Sequence, residues 1–242
     1  WPDVAPDLDR RRPNTHDRTL IRYDAPGNGM SDLDVAEISL AAWVSDLECV
    51  VEANRLERFP LLGISQGCPV AISYAVSHPE QISHLILSGG FAVGSKHRNL
   101  TAEQLEEFAA MRTLTRLGWG ADNPAFRQMF TTQFMPDATK EQADAFNELQ
   151  RQSASPECAV RYWDTVAEID VEPLLGNVRV PTLVLHMRGD VRVPVAFGRK
   201  MAAGIPGARF VDMPGRNHII LEGEPAMARF LEEVQFFLGE PV

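Results

Sequence analysis

The chain has 242 residues, 45% of them hydrophobic, and a formal charge of −10. That is long enough to bury one core plus an insertion, and too acidic to favour nucleic acid, whose phosphates it would repel. No apolar run approaches the ~20 residues a membrane-spanning helix needs.

The opening "WPDVAPDLDRRRPNTHDR" is polar and proline-rich, unlike a signal peptide. Arg10, Arg11 and Arg12 form the one basic cluster, which reads as a short solvated run. Three cysteines, Cys49, Cys68 and Cys158, cannot all pair, and no C-x-x-C or Cys/His grouping suggests zinc. Cytoplasmic residence follows as the expectation. The chain starts on Trp1, which is expected of a processed chain or of one with an upstream segment.

"RTLIRYD" (18–24) has the composition of a short strand and ends in the turn-rich "APGNGMSD". Gly27 and Gly29 lack the third glycine of a dinucleotide fingerprint and open no helix, so a tight turn is expected. Leu40, Trp43, Val44, Leu47 and Val51 recur at helical spacing, which predicts an amphipathic helix over 38–56. "FPLLGI" (59–64) is short and apolar, as a buried parallel strand is. Helical character resumes in "QGCPVAISYAVSHPE", with Pro69 in its first turn, and "ISHLILSGG" (82–90) is the next strand.

Residues 97 to about 177 contain no convincing strand. Thr101 with Gln104, and Thr139 with Gln142, mark helix starts of the capping-box kind, and Ser155 with Pro156 marks another. Strand character returns in "VPTLVLHMRGD" (180–190), then a helix in "AFGRKMAAGI" and a last strand in "ARFVDMPG" (208–215). Met227, Phe230, Leu231, Val234, Phe237 and Leu238 define a C-terminal amphipathic helix.

Alternating strands and helices predict an α/β fold: a mostly parallel sheet with helices on both faces. In such sheets function collects at the carboxyl ends of strands. Ser65, between Gly63 and Gly67 in a G-x-S-x-G run, meets that condition, as do Asp190 and His218. Asp212 is a competing acid, set inside a strand. Cys68 reads as a small packing residue, and Trp119, Trp163, Phe108 and Phe134 as either pocket lining or helix packing.

"RYDAPGNGMSD", "GISQG", "PTLVLHMRGDVRVP" and "GRNHI" stand in the order and spacing of α/β-hydrolase-fold proteins, which the chain resembles over its whole length. The resemblance implies a core of 1–96 and 178–242 interrupted by a helical cap over 97–177, between the third and fourth visible strands. It implies Ser65 as nucleophile, His218 as base and then acid, Asp190 as the residue orienting the imidazole, and the backbone N–H of Gln66 as an oxyanion donor.

N-terminal strands of the family pattern, and the oxyanion loop that the family places before the helix leading into "RTLIRYD", are not found in the visible sequence. The absent strand would lie between the first two visible ones, so the expectation is either a longer polypeptide or a sheet in which those two pair directly. The implied activity is hydrolysis of a small-molecule carboxylic ester, of short or medium acyl chain, without metal or organic cofactor. A ligand-sensing domain with little turnover is the alternative, as is the same triad acting on amides, lactones or carbon–carbon bonds. Neither nucleic acid nor membrane is expected as a partner, and the sequence leaves the oligomeric state open.

Overall fold

The computed structural model describes residues 19–239. The basic cluster at 10–12 and the opening run to residue 18 lie outside the described residues. Four parallel strands form one sheet in chain order: β1 (Phe59–Ile64), β2 (Ile82–Ser88), β3 (Thr182–Met187) and β4 (Arg209–Met213). Sequential parallel neighbours need crossover helices, and each connection supplies at least one.

α1 (Leu40–Ala53) precedes β1 and starts where Ser39 accepts a hydrogen bond from the Ala42 amide at 3.0 Å. α2 (Gly67–Ser77) joins β1 to β2. Four helices separate β2 from β3: α3 (Ala102–Gly118), α4 (Ala125–Phe134), α5 (Lys140–Ser153) and α6 (Pro156–Glu168). α7 (Val195–Gly204) connects β3 to β4, and α8 (Pro225–Phe237) closes the fold.

Strand alternation sorts the core into two layers. On one face Val184 of β3 packs with Trp43, Leu47 and Val51 of α1, Ile72 and Tyr74 of α2 and Met201 of α7. On the other, Leu183, Leu185 and Met187 meet Met213 of β4 and Ala226 and Phe230 of α8. β3, buried along its whole length, is the backbone of both layers.

The helices of α3 to α6 leave and rejoin the core through one clamp. Val93 and Asp170 form an antiparallel bridge, the Gly94 amide donates to Ile169 at 2.6 Å, and the Val171 amide donates to Ala92 at 2.8 Å. Both capping boxes form reciprocally, Thr101 with Gln104 and Thr139 with Gln142, and Ser155 caps α6.

One expected strand is corrected. Residues 19–24 form no strand, and Leu20 and Tyr23 are exposed. Of the two alternatives for this run, direct pairing with β1 is not what the structure has: β1 pairs only with β2 among the described residues, and Leu62 and Ile64 on it are exposed. A strand is held by its ladder, so β-rich composition without a paired edge yields extended coil. No helix among the described residues is long and apolar enough to cross a membrane.

Candidate active site

Ser65 follows β1 directly and carries φ of +53°, a left-handed conformation that a non-glycine residue adopts only when its surroundings impose it. Two backbone bonds impose it here. The Ser65 amide donates to Ser88 O at 2.8 Å, and the Cys68 amide donates to Ser65 O at 3.0 Å. The strand therefore turns sharply into α2, with Gln66 as its N-cap residue and no side-chain cap bond. The first amides of the helix are left without intrahelical acceptors, and its dipole places partial positive charge beside Ser65.

The flanking glycines have different reasons. A Cβ on Gly63 would stand 2.7 Å from Gly67 O and 3.0 Å from Cys68 Cα, whereas one on Gly67 would meet nothing within 4 Å. Close approach of strand and helix thus demands glycine at 63 alone.

Asp190 sits in the loop after β3, buried with 6% exposure. Its Oδ1 accepts from the amides of Arg192 at 2.9 Å and Val193 at 2.8 Å, leaving Oδ2 to face the imidazole of His218. His218, also 6% exposed, lies after β4 and is anchored by its own amide, which donates to Phe134 O at 2.8 Å. Its Nδ1 is 2.7 Å from Asp190 Oδ2 and its Nε2 2.8 Å from Ser65 Oγ. With the Nδ1 proton donated to the carboxylate, Nε2 is an acceptor for the Ser65 hydroxyl. Three side chains far apart in sequence form one unbroken hydrogen-bonded line at the carboxyl edge of the sheet.

Around this line the structure separates residues that the sequence left ambiguous. Asp212 turns to Arg188 at 3.2 Å and Arg199 at 3.6 Å, and the Arg188 hydrogen bond holds its carboxyl below the usual range. Cys68 is fully buried, its Sγ donating to Gly63 O at 3.2 Å, and burial pushes the thiol up to about 12, which leaves no thiolate to compete with Ser65. Phe134 stands edge-on to the His218 ring at 5.4 Å, while Phe108, Trp163, Phe130 and Trp119 form a chain of ring contacts between the helices. Of the four aromatics singled out in the sequence, Phe134 therefore touches the site, and Trp119 and Phe108 pack helix on helix.

His186, whose sequence places it inside a strand, lies in β3. It is fully buried; its Nε2 lies 2.7 Å from Val193 O and 3.5 Å from Asp190 Oδ2, and its Nδ1 has no partner. Burial lowers its pKa, so the ring is neutral and donates through Nε2 to the loop that carries Asp190. Among the described residues no group of three or more His, Cys, Asp or Glu side chains could hold a metal ion.

The model of the alpha/beta hydrolase fold family matches residues 1–225, and the chain belongs to that family. Pyrrolizixenacetamide deacetylase of Xenorhabdus hominickii is 26% identical over 217 residues, covering 88% of this chain and 76% of the relative. The 2-hydroxy-6-oxo-6-phenylhexa-2,4-dienoate hydrolase of Comamonas testosteroni is 27% identical over 205 residues, covering 78% and 67%. Among solved structures, an esterase from Exiguobacterium antarcticum superposes with a TM-score of 0.78 at 23% identity, covering 90% of this chain and 80% of that one. Such relatives support hydrolase activity for the family to which the chain belongs.

Proposed function

We propose that the chain is a serine hydrolase that cleaves small-molecule carboxylic esters of short or medium acyl chain through an acyl-enzyme. The observation that carries this reading is the line Ser65 Oγ–His218 Nε2 at 2.8 Å and His218 Nδ1–Asp190 Oδ2 at 2.7 Å.

Ser65 Oγ attacks the carbonyl carbon as its proton passes to His218 Nε2, and the carbonyl oxygen takes up the negative charge. The Gln66 amide, at the helix start, is the donor placed to receive that oxyanion. Collapse of the intermediate breaks the bond to the alkoxide, which leaves with the proton from His218. Water then enters, gives its proton to the same nitrogen, attacks the acyl carbon and returns Ser65 to its hydroxyl. Asp190, its other oxygen held by two amides, fixes the imidazole tautomer and stabilises the imidazolium. On this reading the helices of 97–177 form a cap over the acyl pocket, and Phe134 supports the imidazole from the cap side.

A fluorophosphonate probe is expected to label Ser65, and p-nitrophenyl butyrate to be hydrolysed. Ser65→Ala should abolish labelling and lower turnover by about 10⁴–10⁶. Binding of small molecules with neither labelling nor turnover would replace this reading with that of a ligand-sensing domain.

A further inference from the structure

The loop that supplies Asp190 also supplies an arginine for which acyl transfer has no use. The Arg192 amide holds Asp190 Oδ1, while its side chain runs toward the helices between β2 and β3. The guanidinium carbon lies 5.2 Å from the ring centre of Phe134 and 5.0 Å from that of Trp163. Since Phe134 itself packs on His218, the guanidinium and the imidazole share one aromatic neighbour.

Its polar contacts are sparse. Nη1 reaches Gln133 Oε1 at 3.4 Å, a neutral amide at the edge of hydrogen-bonding range. Other arginines are satisfied: the part-buried Arg98 forks onto Val93 O at 2.8 and 2.6 Å, and the exposed Arg112 pairs with Asp164 through two bonds of 2.7 Å. No carboxylate among the described residues forms an ion pair with Arg192. Burial draws its pKa down to about 10, the positive charge of Arg98 acts in the same direction, and Asp190 and Glu107 offset this in part. At neutral pH it remains charged and is half-buried, without a carboxylate partner. Two aromatic rings lie within cation–π range of the planar group, and apart from the long Gln133 contact its side-chain donors have no hydrogen-bond partner among the described residues, which suits a carboxylate taken in a bidentate grip.

We propose that Arg192 is the specificity residue of this site and that it binds a carboxylate on the substrate, so that the preferred ester is an anionic one. The inference rests on the acyl-enzyme reading above and names the substrate class for it.

The test compares p-nitrophenyl butyrate with two charged counterparts, mono-p-nitrophenyl glutarate (carboxylate on the acyl side) and 4-butyryloxybenzoate (carboxylate on the leaving group, compared with phenyl butyrate). The native protein should prefer one charged ester over its neutral partner by at least about tenfold in kcat/KM. In Arg192→Met that ratio should fall by about 10- to 100-fold, the range of a charge-assisted hydrogen bond, with Arg192→Lys in between. Preference for neither charged ester, or an equal loss on charged and neutral esters in Arg192→Met, would overturn the proposal and leave Arg192 as a strut between loop and helices.

Glutarate titrated calorimetrically into Ser65→Ala protein separates this from failure of the hydrolase reading. Saturable binding that disappears in Ser65→Ala/Arg192→Met sustains the carboxylate site even where no ester is turned over. Absence of binding, or equal binding in both proteins, rejects it. Melting curves confirm that each variant is folded.

Discussion

Ser65 holds its left-handed backbone at a cost on the order of 1–2 kcal/mol, which the two bonds to Ser88 and Cys68 offset. The turn is tight because α2 crosses the end of β1 closely, and Gly63 is the point of closest approach. Gly63→Ala forces a methyl to 2.7 Å from a backbone oxygen, which has no rotamer to yield. The expected cost is about 1–3 kcal/mol of stability, measured by urea denaturation. Gly67→Ala meets open space at the first position of a helix and should instead be neutral or stabilising by about 0.4–1 kcal/mol. In the sequence the two glycines are symmetrical about Ser65 and invite one explanation; only the crossing of strand and helix distinguishes them. Ser65, Asp190 and His218 were legible because each ends a strand-like run, and strand ends in a parallel sheet share one edge. Nothing local marks His186, whose contacts come from a loop that folds back beneath it.

Capping is the most local of helix signals, and the pairs Thr101 with Gln104 and Thr139 with Gln142 form as their sequences predict. The run at 18–24 shows the opposite case. Its residues favour strand, but pairing is a property of two segments, and among the described residues none offers it a ladder. How α3 meets α4 was equally hidden, because it depends on Arg127, which looks in sequence like a surface residue of an amphipathic helix. The side chain is 2% exposed and donates to the carbonyls of Gly118, Trp119, Ala121 and Asn147. Three of those carbonyls lie at or just beyond the end of α3, where Gly118 O receives one further amide, from Ala121 at 3.3 Å. Arg127→Lys keeps the charge but loses the fork, leaving most of these carbonyls without their guanidinium donor. The expected loss is about 2–3 kcal/mol, read from the melting temperature. A drop in near-ultraviolet dichroism from Trp119, which packs on Phe130 beside this joint, should accompany it.

At the scale of the whole molecule, β3, α7 and the Asp190 loop meet around one neutral imidazole, and this couples global stability to pH. Protonating His186 would place an N–H at Nδ1, where no acceptor lies, in a fully buried position packed against Gly198. Val193 O and the charge of Asp190 favour the protonated ring, and His218 opposes it, but burial dominates and lowers the pKa from its ordinary 6.5. Below pH 6.5 the unfolded chain therefore takes up a proton that the folded chain refuses. Stability is complete above that value and declines as pH falls toward the folded pKa, with a limiting slope of about 1.4 kcal/mol per pH unit for one site. Urea midpoints measured from pH 8 to pH 5 should fall more steeply for the native protein than for His186→Gln. The two proteins differ only at position 186, so the difference between the curves is read against the native one. Parallel curves would mean that His186 carries its proton in the folded state, which would require the Asp190 loop to accept a charged ring beneath it.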